Sequence, residues 1–138
     1  MKHFTILLLI LMFCSCVVNA QTINSYDRYG NRTGSYHVNG GTTTHYDKYG
    51  NKTDYYRTNN GTTNSYDRYG NKTGSYKSYG NTITQYDRYG NKVGSYKTNN
   101  NTTIQYDKYG NKVGSYKTDS SGRTIYYDKY GNKVNSYK

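Results

Sequence analysis

The chain beyond residue 20 lacks most of the residues that form ordinary protein interiors. It has no cysteine, leucine, methionine, phenylalanine or alanine after Ala20, and the whole 138-residue sequence has no proline, tryptophan or glutamate. Without cysteine, a disulfide scaffold, a thiolate metal site and a cysteine nucleophile are excluded. An ordinary aliphatic core is excluded too, because the aliphatic side chains in this part number only eight: Ile23, Val38, Ile83, Val93, Ile104, Val113, Ile125 and Val134.

The missing residue types are concentrated at the start of the chain. A short polar beginning is followed by a nearly continuous apolar stretch over residues 4–18, and the small residue Ala20 stands where signal peptidase cleaves. The sequence therefore predicts a signal peptide over residues 1–20, cleaved between Ala20 and Gln21. Residues 21–138 then form the mature domain.

Export can leave the mature chain either anchored or soluble. Lipidation of Cys14 or Cys16 would anchor the mature chain to a membrane, but Phe13 and the lack of the usual leucine are unlike a lipoprotein signal. Soluble export to the periplasm, the cell surface or the medium is expected. No segment after residue 20 approaches the twenty apolar residues of a membrane span.

Tyrosine and positive charge dominate the mature chain. All 21 tyrosines lie after residue 20, so tyrosine must supply most of any interior. The mature chain carries 18 lysines and arginines (19 less Lys2) against 8 aspartates. This balance favours acidic partners such as polyanions or anionic head groups.

A repeat of about twenty residues organises the whole mature chain. Each copy reads Tyr-Asp-[Arg/Lys]-Tyr-Gly-Asn-[Arg/Lys]-[Thr/Val], and the spacing is twenty residues until the last copy, where it is twenty-one. Such a period indicates one supersecondary unit per copy. Neither terminal copy resembles a polar cap, which indicates a closed ring. The pairs are Tyr26-Asp27, Tyr46-Asp47, Tyr66-Asp67, Tyr86-Asp87, Tyr106-Asp107 and Tyr127-Asp128.

Each copy is predicted to be a β-hairpin. A strand rich in threonine and isoleucine precedes Tyr-Asp, and aspartate at the first and glycine at the fourth position favour a type I turn. Asn-Gly and similar pairs then mark a second turn. The predicted fold is all-β, with six hairpins in a closed, propeller-like ring. The structural turn residues are Asp27, Gly30, Asp47, Gly50, Asp67, Gly70, Asp87, Gly90, Asp107, Gly110, Asp128 and Gly131.

A second recurring glycine lies in the return strand. Val93 and Tyr96 are three residues apart, so a regular strand would place them on opposite faces. The glycine between them predicts a β-bulge or a positive φ. This position is Gly34, Gly74, Gly94 and Gly114 in four copies, but Asp54 in the second and Asn135 in the last.

The unit resembles two kinds of bacterial repeat. The pattern Tyr-Asp-x-x-Gly-Asn over residues 22–138 is similar to the hairpins of β-flower proteins, small exported proteins arranged around a central axis. Gly61-Thr62-Thr63 before Tyr66-Asp67 also resembles the Tyr-Asp (Rhs-type) repeat of large secreted toxins and adhesion proteins. Either resemblance implies an exported β-scaffold and brings no catalytic residue.

Little in the sequence indicates catalysis, a cofactor or a metal site. The recurring aspartates are interpreted as turn caps, with a calcium-binding ring of carboxylates as the alternative. His37 and His45 have no metal or catalytic partners in the sequence and are expected to be exposed. The serine of Gly-Ser-Tyr lacks a nucleophile elbow and a paired base. We therefore expect a protein that is not an enzyme.

The basic residues carry the stronger prediction of binding. Rows of lysine and arginine beside tyrosine faces favour anionic glycans or cell-envelope polymers, whereas export makes nucleic acid an unexpected partner. The alternatives are a solvated face that binds nothing and a self-assembling surface matrix or adhesive. Self-association remains open. The candidate contacts are Arg68, Lys72, Arg88, Lys92, Lys108 and Lys112.

Overall fold

The computed structural model describes residues 20–138, in which all regular secondary structure is β-strand. Short turns join consecutive strands into hairpins, as the β-branched and aromatic composition predicts. The predicted signal peptide, apart from Ala20, lies outside the described residues. The strands are β1 (Gln21–Asp27), β2 (Arg32–Asn39), β3 (Thr42–Asp47), β4 (Lys52–Asn59), β5 (Thr62–Asp67), β6 (Lys72–Tyr79), β7 (Thr82–Asp87), β8 (Lys92–Asn99), β9 (Thr102–Asp107), β10 (Lys112–Thr118), β11 (Thr124–Asp128) and β12 (Lys133–Tyr137).

The twelve strands form one closed antiparallel barrel. Each strand pairs with its neighbours along the chain, and β1 pairs with β12. At this seam Tyr26 lies opposite Ser136, and the backbones of Asn24 and Lys138 exchange hydrogen bonds of 2.8 and 3.0 Å. The predictions of an all-β fold, repeating hairpins and ring closure are confirmed. Within residues 20–138 the sheet has no unpaired edge.

Residues 20–138 contain no helix long and apolar enough to span a membrane.

Six tyrosines, one from each return strand, fill the interior. Their relative exposure is only 1–6%, and they pack together with Ile23, Ile83 and Tyr126. Burial raises the pKa of inner tyrosines such as Tyr36 and Tyr96 far above the ordinary value of a phenol. The prediction that tyrosine supplies the interior is therefore correct. These inner tyrosines are Tyr36, Tyr56, Tyr76, Tyr96, Tyr116 and Tyr137.

Glutamine side chains bind the phenol groups in the later copies. The Gln85 amide donates to the hydroxyl of Tyr76 at 3.3 Å, and the Gln105 amide donates to that of Tyr96 at 3.1 Å. The hydroxyl of Tyr116 donates to Oε1 of Gln105 at 3.3 Å. Buried polar groups need such partners, since a lost hydrogen bond in the interior costs about 1–3 kcal/mol.

A β-bulge interrupts the regular alternation of side chains between the two faces of the return strand. Tyr86 pairs with Lys92 and Gln85 with Gly94, so Val93 is the extra residue. A Cβ at Gly94 would lie 2.6 Å from the backbone oxygen of Tyr106, and the φ of this glycine is not positive. The predicted bulge is therefore confirmed, while the alternative of a positive φ does not occur. The same close approach to a neighbouring tyrosine oxygen is found at Gly34, Gly74 and Gly114.

Candidate functional site

The Tyr-Asp turn is a compact hydrogen-bonded unit. In the turn Asp87–Gly90, the N–H of Gly90 donates to the carbonyl of Asp87 at 3.1 Å, and Gly90 has a φ of 90°. One oxygen of the Asp87 carboxylate accepts the N–H groups of Tyr89 and Asn91, both at 2.9 Å. The other accepts the Asn91 amide at 3.0 Å. This geometry is that of a type I turn followed by a glycine bulge.

The same arrangement recurs in all six copies and ties each carboxylate to its own turn. The amide and backbone N–H of Asn91 hold the pKa of Asp87 below its ordinary value, and equivalent asparagines do so elsewhere. Each of these aspartates therefore accepts hydrogen bonds that cap its own turn. The capping aspartates and their asparagine partners are Asp27 with Asn31, Asp47 with Asn51, Asp67 with Asn71, Asp87 with Asn91, Asp107 with Asn111, and Asp128 with Asn132.

The calcium alternative finds no support in this arrangement. In the range 20–138, no group of three or more histidine, cysteine, aspartate or glutamate side chains could hold a metal ion. Each turn aspartate instead accepts hydrogen bonds from its own turn. Calcium sites bring several oxygen ligands to one point.

All six turns lie at the same end of the barrel. They join odd-numbered strands to the even-numbered strands that come next in the chain, and in an antiparallel ring every such connection is at one end. Ala20, just before β1, lies at the opposite end. We call the end with the Tyr-Asp turns the turn rim, defined as residues 27–32, 47–52, 67–72, 87–92, 107–112 and 128–133.

Each turn of the rim presents a tyrosine beside a cation. The six rim tyrosines are 74–78% exposed. The Arg68 guanidinium lies 4.7 Å from the centre of the Tyr69 ring and donates a hydrogen bond of 2.6 Å to its hydroxyl. Lys108 lies 4.9 Å from the Tyr109 ring. Such cation–π pairs contribute about 0.5–1 kcal/mol each at exposed sites. The rim tyrosines are Tyr29, Tyr49, Tyr69, Tyr89, Tyr109 and Tyr130.

The cations of the rim have no carboxylate partner. Among residues 20–138 the one basic side chain within 4 Å of a carboxylate is that of His45, beside Asp54, so no lysine or arginine there is paired with an aspartate. The turns explain this, because the six rim carboxylates are bound by backbone N–H and asparagine groups instead. Twelve cations surround those six carboxylates at the rim: Arg28, Arg32, Lys48, Lys52, Arg68, Lys72, Arg88, Lys92, Lys108, Lys112, Lys129 and Lys133.

The structure brings the predicted contact residues together on three consecutive hairpins. All of them are exposed and lie on the turn rim: Arg68, Lys72, Arg88, Lys92, Lys108 and Lys112.

Sequence reasoning missed two features of the rim. It assigned no role to the asparagine after each turn glycine, or to the tyrosine before it. Both come after the aspartate at fixed spacing in every copy, which was the available signal.

His45 contradicts the expectation that both histidines are exposed. It is 2% exposed, stacks on Tyr36 with ring centres 4.3 Å apart, and lies 3.3 Å from the Asp54 carboxylate. Its Nδ1 also lies 2.5 Å from the hydroxyl of Thr53. His37 is exposed, as predicted. The second copy therefore carries a polar cluster inside the barrel that the other copies lack.

Comparison with known proteins yields no match, either to a family model or to a curated protein. The resemblance to β-flower and Tyr-Asp repeats therefore stays a prediction.

Proposed function

We propose that this chain is an exported, non-catalytic binding protein whose turn rim holds anionic glycans or other acidic polymers of the cell envelope. The observation that carries the proposal is the set of unpaired rim cations. Twelve cations share one end of the barrel with six carboxylates that are already bound within their turns. A concentration of one sign of charge attracts ligands of the opposite sign.

The tyrosines support a saccharide ligand. A ring that is about three quarters exposed offers a flat apolar face with a polar hydroxyl at its edge, as the rim tyrosines do. The ring of hairpins repeats this surface six times, which suits a polymer with repeating acidic units. Predicted export and the likeness to β-flower repeats agree with a cell-envelope ligand and with a structural module at that location.

The closed sheet weighs against the alternative of a self-assembling matrix. Lateral growth of a β-assembly needs an unpaired strand edge, and residues 20–138 leave none. Repulsion among unpaired cations further opposes stacking of rims. We therefore place polymer binding first.

Two variants with equal charge test the proposal. The rim variant replaces Arg68, Lys72, Lys92 and Lys112 with glutamine, and the wall variant replaces Arg57, Lys77, Lys97 and Lys117. Each removes one arginine and three lysines, all exposed, but the second set lies along the outer face of the strands. Binding of residues 21–138 to polygalacturonate is measured by calorimetry, with neutral dextran as the control polymer.

We expect the rim variant to lose at least tenfold in affinity and the wall variant less than threefold. Wild-type binding should weaken as salt is added, because exposed charges are screened. Equal losses in the two variants would show attraction by net charge alone. No binding of the wild-type protein would reject the proposed function.

A further inference from the structure

A cleft opens at the turn rim between the first and the last hairpin. Its volume is about 500 Å³, which is within the range of small-ligand sites. It lies beside the seam where β1 pairs with β12. The residues that line it come from both turns: Asp27, Arg28, Tyr29, Asp128, Asn132, Lys133 and Val134.

The charges that line the cleft are balanced. Arg28 and Lys133 contribute two positive charges, and Asp27 and Asp128 contribute two negative ones. The asparagine amides and turn N–H groups lower the pKa of both aspartates, so these stay ionised. The two carboxylates here would repel a ligand with densely spaced negative charges. They would repel a ligand with one negative charge and several neutral polar groups much less.

The two carboxylates retain some capacity to accept hydrogen bonds. Each already accepts three, from the N–H groups of two turn residues and from one asparagine amide. Because a carboxylate has about four acceptor positions, roughly one is left on each for a hydroxyl donor. Tyr29, 74% exposed, adds a flat aromatic face, and Val134 adds an apolar contact.

We infer that this cleft is a subsite for one acidic sugar unit, with its carboxylate on Arg28 and Lys133, its ring against Tyr29, and its hydroxyls on the two aspartates. The inference rests on the proposed function and narrows it to polymers of sugar acids, as distinct from inorganic polyanions. The cations of the whole rim attract the acidic polymer at long range, and the contacts in the cleft select sugar acids over other anions.

The same residue types recur at the other five junctions between neighbouring turns. Between the second and third turns, for example, Asp67, Arg68 and Tyr69 come from the third turn, and Asn51 and Lys52 come from the second. Adjacent turns are two strands apart, or roughly 10 Å at the usual spacing between strands. A polymer lying on the rim thus meets successive subsites, and its affinity should rise with length.

The test compares two polymers of equal charge, polygalacturonate and polyphosphate, together with free galacturonate. The key variant replaces all six rim tyrosines with alanine: Tyr29, Tyr49, Tyr69, Tyr89, Tyr109 and Tyr130. Tyr79→Ala is the control, because Tyr79 is 91% exposed at the end of β6, at the opposite end of the barrel. Circular dichroism checks the fold. If the sixfold variant loses its β signal, the test uses a triple variant instead, with alanine in place of Tyr29, Tyr69 and Tyr109 on alternate hairpins.

We expect wild-type protein to bind polygalacturonate at least tenfold more tightly than polyphosphate, and at least a hundredfold more tightly than free galacturonate. The tyrosine variant should lose at least tenfold for polygalacturonate and less than threefold for polyphosphate, while Tyr79→Ala stays within twofold. Equal binding of both polymers, or an unchanged tyrosine variant, would overturn the sugar subsite and leave the proposed polyanion binding intact. Failure of wild type to bind either polymer would reject the proposed function itself.

Discussion

Glycine has two distinct roles in each hairpin. Gly90 closes the turn with a φ of 90° and has open space around its α-carbon. Gly94 has no positive φ, but a Cβ there would lie 2.6 Å from the carbonyl oxygen of Tyr106. The first glycine is required by backbone conformation and the second by the closeness of the next strand.

Replacement of Gly94 by alanine should destabilise the barrel. The added methyl group forces strands β8 and β9 apart, and overpacking of this kind costs about 1–3 kcal/mol. Ser95→Ala, one residue further on, is the control and should change the unfolding free energy by about 0.5 kcal/mol or less. Urea unfolding followed by circular dichroism measures both. Equal stability of Gly94→Ala and wild type would contradict the close approach.

The composition and spacing predicted the turn residues, but they did not predict which tyrosines face inward. Tyr96 is 1% exposed and Tyr89 is 74% exposed, although both stand in similar polar surroundings in the sequence. Tyr89 lies in the turn Asp87–Gly90 at the rim, whereas Tyr96 lies within β8 on the face that points into the barrel. His45 was missed because its burial depends on two contacts made in the folded sheet, with Tyr36 and with Asp54, which replaces the usual glycine.

Each hairpin repeats the same arrangement of one aspartate and two cations around its Tyr-Asp turn. Its aspartate is bound by its own turn, and this frees the neighbouring cations from ion pairs. The arrangement also makes the turn sensitive to acid. An aspartate whose pKa is lowered by folding stabilises the folded state at pH values above its unfolded pKa, and the contribution is lost as the pH falls.

Asn91→Ala should raise the pKa of Asp87 towards its ordinary value of 3.8, because the largest cause of the lowering is the Asn91 amide. The carboxyl carbon of Asp87, titrated by NMR, reports this shift. Asn99→Ala, at the end of β8 on the opposite end of the barrel, should leave the Asp87 titration unchanged. An Asp87 titration that stays the same in Asn91→Ala would contradict the capping role.

Removal of the asparagine should also change how stability depends on pH. Asn91→Ala should be less stable than wild type above about pH 4, where Asp87 is ionised, and the two stabilities should converge as the pH falls and Asp87 binds a proton. Urea unfolding at a series of pH values, followed by circular dichroism, measures this. The control Asn99→Ala should match the wild-type curve.

At the scale of the whole molecule, closure of the barrel positions both the tyrosine core and the turn rim. The barrel pairs every strand with two neighbours, encloses six tyrosines and places six basic turns around one rim. The regular repeat and the absence of polar caps predicted a closed ring. They did not predict that the hairpins join into one continuous sheet, because pairing between copies depends on side chains such as Thr58 and Thr63, which share a hydrogen bond of 2.8 Å.

Closure between β1 and β12 is the central claim, and an engineered disulfide tests it most directly. Asn24 and Lys138 exchange two backbone hydrogen bonds, a pairing whose usual Cα separation of about 5.5 Å suits a disulfide. Residues 21–138 contain no cysteine, so the double variant Asn24→Cys, Lys138→Cys has a single pair to oxidise. The control pairs Asn24→Cys with Lys77→Cys on β6, a strand that does not pair with β1.

Mass spectrometry and non-reducing electrophoresis of the oxidised monomer give the result. We predict near-complete intramolecular disulfide in the 24–138 variant and little in the 24–77 control. Equal yields in the two variants, or free thiols in both, would contradict a closed barrel.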